Sequence, residues 1–516
     1  MNDQLILGYD FGTSAVKVAL FNQMGKIVAH SSKSYPMLLP QKGWAEQVPD
    51  DWWSAMILAT QDLLSSDNID VSRIKAIGIC AQMCGTIPVD IKGNVLHNAL
   101  IWLDTRSSDI AHRITNGLVR INGYGLSKIL QWLWITNGAP NLSGKDPISK
   151  ILWFKESKTN LWKQTHKFLD VKDYLLFRLT GSYSTTQDCA HVSWLMDSRA
   201  DKRCWSDTLL KQVGIQKDHL PNIYSASQIV GKLSVSIAKD LGLEPGVTVV
   251  GGMGDVGAYA IGSGQIRDNS IHIHCGTGGW IAAHMNRRAV DIFNSVATVC
   301  APEKDRYLLI AAQETAGACV NWAANVLSNT ENNQPNFSEF DRLAKESPPG
   351  AEGLFFFPWL FGERVPVDND KIRGGFLNLS LHHSKEHMAR SVLEGVALNT
   401  RWALNPVEKI VKNNDNIRLL GGGAVSDIWC QIFADVLQRP IEQVFQPEFG
   451  GCRGAAMAAA VGCNWFDDFE QASKMVQVQN VFLPNKDLAY LYDQKFDEFK
   501  QNFKYTKKWY ERINDK

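Results

Sequence analysis

The most constraining feature of this chain is a strand–turn–strand segment built on glycine and threonine, which occurs twice. In the first copy, an apolar run at 5–9 enters the turn Asp10-Phe11-Gly12-Thr13-Ser14, and 16–21 returns as a strand. In the second copy, 271–275 enters the turn Gly276-Thr277-Gly278-Gly279. Such turns present backbone N–H groups and a hydroxyl to an anion, most naturally a phosphate. Two copies predict two related domains that face one nucleotide.

An acidic residue follows a third predicted strand. Residues 247–250 are a short β-branched run, and Asp255 comes just past its end between Gly254 and Gly257. Glycines there let backbone approach a ligand closely. With the phosphate turns, this favours phosphoryl transfer, with Asp255 as the general base that takes the proton from the attacking hydroxyl. The alternative interpretation is a turn or helix-capping aspartate.

Asp10, in the first turn, is the candidate metal ligand. Mg²⁺ takes a few carboxylates together with phosphate oxygens, which suits an acid beside a phosphate turn. The alternative is an aspartate that accepts hydrogen bonds from local amides.

A dinucleotide-binding interpretation is rejected. Residues 252–257 match GxGxxG after a strand. An acid inside the loop would repel a pyrophosphate, and Asp268 comes too early to bind a ribose. The P-loop pattern GxxxxGK[ST] does not occur in the sequence.

Composition argues against several classes of protein. The 516 residues suffice for two large domains, and Lys+Arg and Asp+Glu are both 53, so no basic excess indicates nucleic acid or an anionic membrane. We find no signal peptide and no run long enough to span a membrane. The ten cysteines form no CxxC pair, which favours reduced thiols. A cytoplasmic protein is expected.

Periodicity and turn residues predict alternating strands and helices. The residues 159–179 are expected to form one helix, and the tail from Leu488 a surface helix with a frayed end. We expect an N-terminal domain at 1–246, a C-terminal domain at 247–480 and a helical tail at 481–516. Further helices are expected at 317–327, 387–401, 427–437 and 450–461, the last packed closely on a neighbour.

These segments, in this order, resemble the FGGY family of carbohydrate kinases over nearly the whole chain. Asp10 to Ser14 and Gly276 to Gly279 are similar to its two phosphate motifs. The segments similar to its sugar-side, catalytic and adenosine motifs are Gln82-Met83-Cys84-Gly85, Trp102-Leu103-Asp104-Thr105-Arg106, Gly252-Met253-Gly254-Asp255 and Gly421-Gly422-Gly423-Ala424.

The resemblance implies an α/β fold of two actin-like domains of the ribonuclease-H type, with an ATP and sugar cleft between them. It implies ATP-dependent transfer, with Mg²⁺, to a hydroxyl of a ketose or polyol, D-xylulose or a related pentulose being expected. A homodimer is compatible with the family. The implied contacts are Gln82, Met83, Cys84, Asp104 and Asp255 for the sugar, Gly12, Thr13, Ser14, Gly276, Thr277, Gly278, Gly421, Gly422, Gly423 and Ala424 for ATP, and Asp10 for the metal.

The chain also departs from the family pattern. Cys84 stands where a sugar-contacting histidine is usual, and Val256 where asparagine often follows the catalytic aspartate. A lost donor changes which sugar hydroxyls are satisfied, so both positions bear on the identity of the sugar. Asp104 and Arg106 have the alternative of a structural salt-bridged loop. The rival functions are an actin-like nucleotide sensor or ATPase switch and, more remotely, an NAD-dependent dehydrogenase.

Overall fold

Two β-sheets form the centre of the protein. The computed structural model describes residues 4–65, 69–121, 123–327, 335–412 and 415–514. The first sheet has seven strands and the second has eight. None of the helices within the described ranges is long and apolar enough to cross a bilayer.

The first sheet is built around Leu5–Phe11, in which all seven residues are buried. This strand pairs antiparallel with Ala15–Asn22 and parallel with Ile74–Ala81. A strand with neighbours on both edges and helices on both faces needs an apolar residue at almost every position. From edge to edge the strands are Ile229–Lys232, Thr248–Val250, Ile74–Ala81, Leu5–Phe11, Ala15–Asn22 and Ile27–Ser34, with Met253–Gly254 also paired to Ile74–Ala81.

The second sheet repeats this arrangement. Its central strand Ile271–Cys275 is fully buried, pairs antiparallel with Gly279–Met285, and pairs parallel with Ile417–Leu420. From edge to edge the strands are Val290–Asp291, Val296–Cys300, Tyr307–Gln313, Gly279–Met285, Ile271–Cys275, Ile417–Leu420, Ile441–Val444 and Val478–Phe482. The shared pairing confirms the prediction of two related α/β domains.

Helices surround the sheets, and short strand pairs lie outside them. The α-helices are Pro49–Leu64, Ser108–Thr115, Leu126–Thr136, Pro147–Ser157, Thr159–Gln164, Val171–Thr180, Gln187–His191, Asp207–Val213, Val235–Leu241, Asp255–Gly262, Gly317–Leu327, Phe337–Glu346, Lys385–Val411, Asp427–Leu437, Gly450–Gly462, Phe469–Ser473 and Ala489–Ile513. The short pairs are Glu46–Gln47 with Ala99–Leu100, Ile87–Val89 with Lys167–Leu169, Arg120–Ile121 with Tyr124–Gly125, Ser184–Thr186 with Asn222–Tyr224, Met196–Asp197 with Cys204–Trp205, and Phe355–Phe357 with Gly375–Leu377.

The glycine-rich helix Gly450–Gly462 joins the two halves. A Cβ atom on Gly8 would overlap the Cys452 carbonyl, and one on Gly78 would overlap the Ala455 carbonyl. Gly454 lies equally close to the backbone of Ala258, in the helix Asp255–Gly262. Only residues without a side chain permit these approaches. The close packing predicted for 450–461 is therefore present.

Sheet membership places the domain junction later than expected. Thr248–Val250 pairs parallel with Ile74–Ala81, so the strand that was expected to open the second domain lies in the first sheet. The antiparallel partner of Thr248–Val250 is Ile229–Lys232, and the helix Val235–Leu241 lies between these two strands in the chain. The expected junction at 246 thus separates two paired strands of the first sheet, and the second sheet begins at Ile271.

Two further expectations differ from the structure. The single helix expected at 159–179 was wrong, because Lys167–Leu169 is a strand paired with Ile87–Val89, and a new helix begins at Val171. The C-terminal helix Ala489–Ile513 is not a simple surface helix, because one of its faces is buried. Phe499 of that face packs on Phe357 and Trp359.

We predict that Gly78→Ala lowers the free energy of unfolding by about 3 kcal/mol, since the added methyl overlaps backbone that cannot move independently. Urea denaturation followed by tryptophan fluorescence measures the change. Gly375→Ala is the matched control, because a Cβ atom there meets nothing within 4 Å. Equal stability of the two variants would contradict the packing described here.

Candidate active site

Asp10 lies where the two halves of the chain meet. Its carboxylate accepts hydrogen bonds from the Tyr259 hydroxyl at 3.0 Å and the Cys80 thiol at 3.3 Å, and it is 6% exposed. A Cβ atom on Gly451 would overlap this carboxylate, so the start of the helix Gly450–Gly462 must be glycine to leave room for it. None of the ion pairs among the described residues involves Asp10.

Side chains from the same half of the chain form hydrogen bonds to the first phosphate turn. The Gly12 amide donates to the Ala15 carbonyl at 3.0 Å, which closes the turn. The Trp102 indole donates to Thr13 Oγ1 at 3.0 Å, and the Gln47 amide donates to the Thr13 carbonyl at 2.8 Å. Ser14 is exposed at the tip.

Asp255 is the first residue of the helix Asp255–Gly262 and is partly exposed. One carboxylate oxygen accepts the Val256 amide at 2.8 Å. Burial, with the nearby charges of Asp10, Asp170 and Asp188, raises the pKa of Asp255 to about 7, against the lowering effect of the Val256 hydrogen bond. An acid whose pKa lies near neutrality suits proton transfer.

The loop that is expected to bind the sugar, 82–85, contacts the residue before Asp255. Met83 packs against Gly254, where any Cβ atom would overlap its sulfur. The Gln82 side chain is buried and donates to Gln47 Oε1 at 2.7 Å. Cys84 has a left-handed backbone with φ of 64°. Burial raises the pKa of its thiol, so the thiol is neutral and not an activated nucleophile.

The Cys84 loop is held by Lys150, which is buried, and by Asp170, which is partly exposed and was not predicted from the sequence. Asp170 accepts the Cys84 amide at 3.1 Å and the Gly85 amide at 2.7 Å, and Lys150 donates to the Cys84 carbonyl at 2.8 Å. Asp170 also caps the helix Val171–Thr180, forming a capping box with Asp173. The spacing of these two acids is typical of the start of a helix and could have revealed Asp170. It was overlooked because the apolar pattern of 159–179 was assigned to one helix. Burial raises the pKa of Asp170 to about 7.

Asp104 is fully buried in its own loop. Its carboxylate accepts the Ala45 amide at 2.7 Å and two guanidinium nitrogens of Arg106, at 2.7 to 3.0 Å. Arg106 in turn binds Glu46 at 2.7 Å and lies over the Trp44 ring. This geometry favours the salt-bridged loop. The sugar contact by Asp104 stays a prediction.

The second phosphate turn is tied to the start of a helix. The Gly276 and Thr277 carbonyls accept the backbone amides of Gly317 at 2.7 Å and Ala318 at 3.0 Å. Since these carbonyls point into the helix Gly317–Leu327, the Thr277 hydroxyl and the remaining turn amides are left for a ligand. Gly278 lies beside the Gln313 and Glu314 carbonyls.

The expected adenosine segment is a short 3₁₀ turn at Gly422–Val425. Gly421 precedes it with φ of 91°, and a Cβ atom there would overlap the Cys275 carbonyl. At Gly422 nothing lies within 4 Å of a Cβ position. A flat ligand can therefore lie directly against the backbone at Gly422. Ala424 is buried behind it.

His272 and His274, on the central strand of the second sheet, are both buried. The His274 ring stacks on Trp280 at 3.7 Å and contacts Tyr259 at 4.1 Å. Burial lowers the pKa of both His272 and His274, to about 3 for His272, so both are neutral. In the part of the chain that is described, no group of three or more His, Cys, Asp or Glu side chains is arranged to hold a metal ion.

Comparison with known proteins agrees with this geometry. The N-terminal domain model of the FGGY family of carbohydrate kinases matches residues 5–262, and the C-terminal domain model matches 271–463. Xylulose kinase from Bacillus subtilis (strain 168) is 30% identical over 504 residues, covering 97% of each chain. Two solved structures from Lactobacillus acidophilus, a gluconate kinase and a ligand-bound xylulose kinase, each have 27% identity and a TM-score of 0.86. Each covers 99% of this chain and 100% of its own.

The family models divide the chain between residues 262 and 271, which agrees with the membership of the two sheets. The actin-like, two-domain fold predicted from the sequence is confirmed by these neighbours. With both domain models matched and relatives aligned along nearly its whole length, the chain belongs to the FGGY family of carbohydrate kinases.

Proposed function

We propose that this ATP-dependent sugar kinase phosphorylates a hydroxyl of D-xylulose or a related pentulose, with Asp255 as the general base. The observation that carries the proposal is the position of Asp255 at the start of its helix, in the cleft between Asp10 and the Cys84 loop. Its pKa of about 7 supports the role. The proteins named xylulose kinase among its relatives support the choice of sugar.

Asp255 performs the proton transfer in this account. At neutral pH a substantial fraction of the carboxylate is ionised, yet it is basic enough to accept a proton from a hydroxyl that attacks the γ-phosphoryl group. The buried acids around it maintain this balance, because each disfavours a further negative charge. Its partly exposed carboxylate leaves room for a sugar hydroxyl.

The nucleotide would lie between the two phosphate turns, with its adenosine against Gly421 to Ala424. Backbone amides and the Thr13 and Thr277 hydroxyls are suited to phosphate oxygens. Phosphoryl transfer requires little covalent chemistry from the protein, so the main contribution of these groups is to hold donor and acceptor in line.

Asp10 is the residue that fits Mg²⁺. It is a nearly buried carboxylate whose hydrogen-bond partners are a hydroxyl and a thiol, both neutral, and hard oxygen ligands are what this cation prefers. Held by Asp10, the cation would supply charge neutralisation for the transferred group. In its presence, the chain's own residues still position the nucleotide and accept the proton.

The substitution Asp255→Asn should lower kcat by about 10²- to 10⁴-fold, the usual contribution of a general base, while the Kd for ATP changes little. A coupled assay of ADP release and calorimetric titration with ATP measure the two quantities. Asp207→Asn is the matched control, since Asp207 is likewise the first residue of a helix but is exposed. Undiminished turnover in Asp255→Asn would contradict the general-base assignment and leave Asp255 with only a helix-capping role.

The pH dependence of kcat/KM for the sugar should follow the ionisation of Asp255. Its pKa is raised to about 7, and a base acts only when deprotonated, so activity should fall as the pH drops below about 7. A discontinuous assay that separates ADP from ATP, run from about pH 5.5 to about pH 8.5, avoids limits set by coupling enzymes. A profile that stays flat down to the acid end would contradict the assignment.

The residue at Cys84 should decide the choice among sugars. Histidine tolerates the left-handed backbone found there, so Cys84→His is expected to fold. We predict that it changes the ratio of kcat/KM between D-xylulose and gluconate by about tenfold or more, since it adds a hydrogen-bond donor to the pocket.

ADP release with D-xylulose, L-xylulose, D- and L-ribulose, glycerol, erythritol and gluconate measures this ratio in the wild type and in Cys84→His. An unchanged ratio would place Cys84 outside the sugar site, and a wild-type preference for gluconate would overturn D-xylulose as the substrate.

A further inference from the structure

The two phosphate turns belong to different domains, yet they must act on one nucleotide at the same time. Thr13 lies in the domain matched at 5–262, and Thr277 lies in the domain matched at 271–463. A device that fixes one turn relative to the other would therefore affect turnover without touching the reacting atoms.

A largely buried ion pair connects these two domains. Lys145 Nζ, from the first domain, lies 3.2 Å from Glu314 Oε1 and 3.5 Å from Oε2. The Lys145 side chain is 16% exposed and the Glu314 side chain 9%. Arg364 donates to the same carboxylate from Nε at 3.1 Å and Nη2 at 2.8 Å, on the second-domain side. Against the effect of burial, Arg364 and Lys145 lower the pKa of Glu314, so the carboxylate is charged.

On the first-domain side, the pair leads to the first phosphate turn. Lys145 Nζ lies over the Trp102 ring, 5.9 Å from its centre, within the range of a cation–π attraction. The Trp102 indole donates to Thr13 Oγ1 at 3.0 Å. Lys145 is thus one side chain removed from the hydroxyl of the first phosphate turn.

On the second-domain side, the pair leads to the second phosphate turn. Glu314 stands two residues before Ala316, whose amide donates to the Thr277 carbonyl at 3.0 Å. The Gly317 amide donates to the Gly276 carbonyl at 2.7 Å. The Glu314 backbone is itself fixed, because its amide donates to Glu363 Oε1 at 3.0 Å. The segment that carries Glu314 therefore also holds the second turn.

We infer that Lys145 and Glu314 are positioning residues, and that their cross-domain ion pair holds the two phosphate turns in register for transfer. The inference rests on the kinase activity of the chain but not on which sugar is the acceptor. Removing one partner leaves the other charge buried against Arg364 or Trp102, so the cleft is expected to open or shift rather than to close as before. Misplacement of the reacting groups by about 1 Å is enough to cost about 10²-fold in rate.

The test is a double-mutant cycle on kcat with Lys145→Met, Glu314→Gln and the combined variant. We expect each single change to lower kcat by about 10- to 100-fold, and the double variant to be no slower than the slower single variant. Lys145→Arg should recover most of the rate, since it restores a cation at the same place.

Arg178→Met is the matched control, because Arg178 forms an ion pair with Asp50 at 2.6 Å wholly within the first domain. Its kcat should stay within about twofold of the wild type, the usual range for an exposed pair.

Small-angle scattering supplies a readout that does not depend on the acceptor sugar. With ATP bound, Lys145→Met should have a larger radius of gyration than the wild type, and Arg178→Met should not. Unchanged kcat in Lys145→Met, or losses that multiply in the double variant, would overturn the inference. A rise in the KM for the sugar alone, with kcat intact, would make Lys145 a direct substrate contact and would also overturn it. Failure of every sugar in the wild type, with the scattering difference present, would contradict the proposed function and leave the ion pair supported.

Discussion

The close contact between the helix Gly450–Gly462 and the first sheet is the constraint on which the site depends. Backbone meets backbone at Gly8 and Gly78, because no side chain separates the helix from the strands. The same helix meets Asp255–Gly262 at Gly454. Two distant segments are thereby brought together, so that Asp10 from the first strand and Asp255 from the later helix face the same cleft. A Cβ atom at any of these glycines would push the two acids apart.

The charge distribution of the cleft follows from this packing. The charges of Asp10, Asp170 and Asp188 disfavour the ionisation of Asp255, and burial acts on its carboxylate in the same direction. The two lysines near these acids form bonds of their own. Lys150 donates to the Cys84 carbonyl, and Lys172 forms an ion pair with Asp173 at 2.7 Å. Such a site is short of positive charge, which suits a ligand that arrives with a divalent cation. It also explains why the acid at the start of a helix, where ionisation is ordinarily favoured, keeps a pKa near neutrality.

Much of the fold could be predicted because local sequence and final structure agree. The strand Ile271–Cys275 and the helices Gly317–Leu327 and Asp427–Leu437 begin and end where periodicity and turn residues place them. Both phosphate turns follow from glycine and threonine between apolar runs. The acid after the third strand was recognisable for the same reason.

The misses arose where distant partners decide the structure. Lys167–Leu169 is a strand only because Ile87–Val89 lies beside it, so its apolar pattern alone suggested a continuous helix. Asp170 was overlooked with it, although it holds the Cys84 loop. For Asp104 the sequence left both a sugar contact and a salt-bridged loop open, and its buried bonds to Arg106 and Ala45 became visible only in the fold. The pairing of Thr248–Val250 with the first sheet likewise depends on Ile74–Ala81.

The central claim is that the cleft transfers phosphate to a sugar and not to water. Phosphorus NMR of the products of ATP, Mg²⁺ and D-xylulose tests this directly. The account predicts a sugar phosphomonoester in amounts equal to the ADP formed, with its phosphorus signal split by the protons of the carbon that bears the phosphorylated hydroxyl. Inorganic phosphate as the only new product, formed at the same rate with and without each sugar, would contradict it and identify an ATPase switch instead.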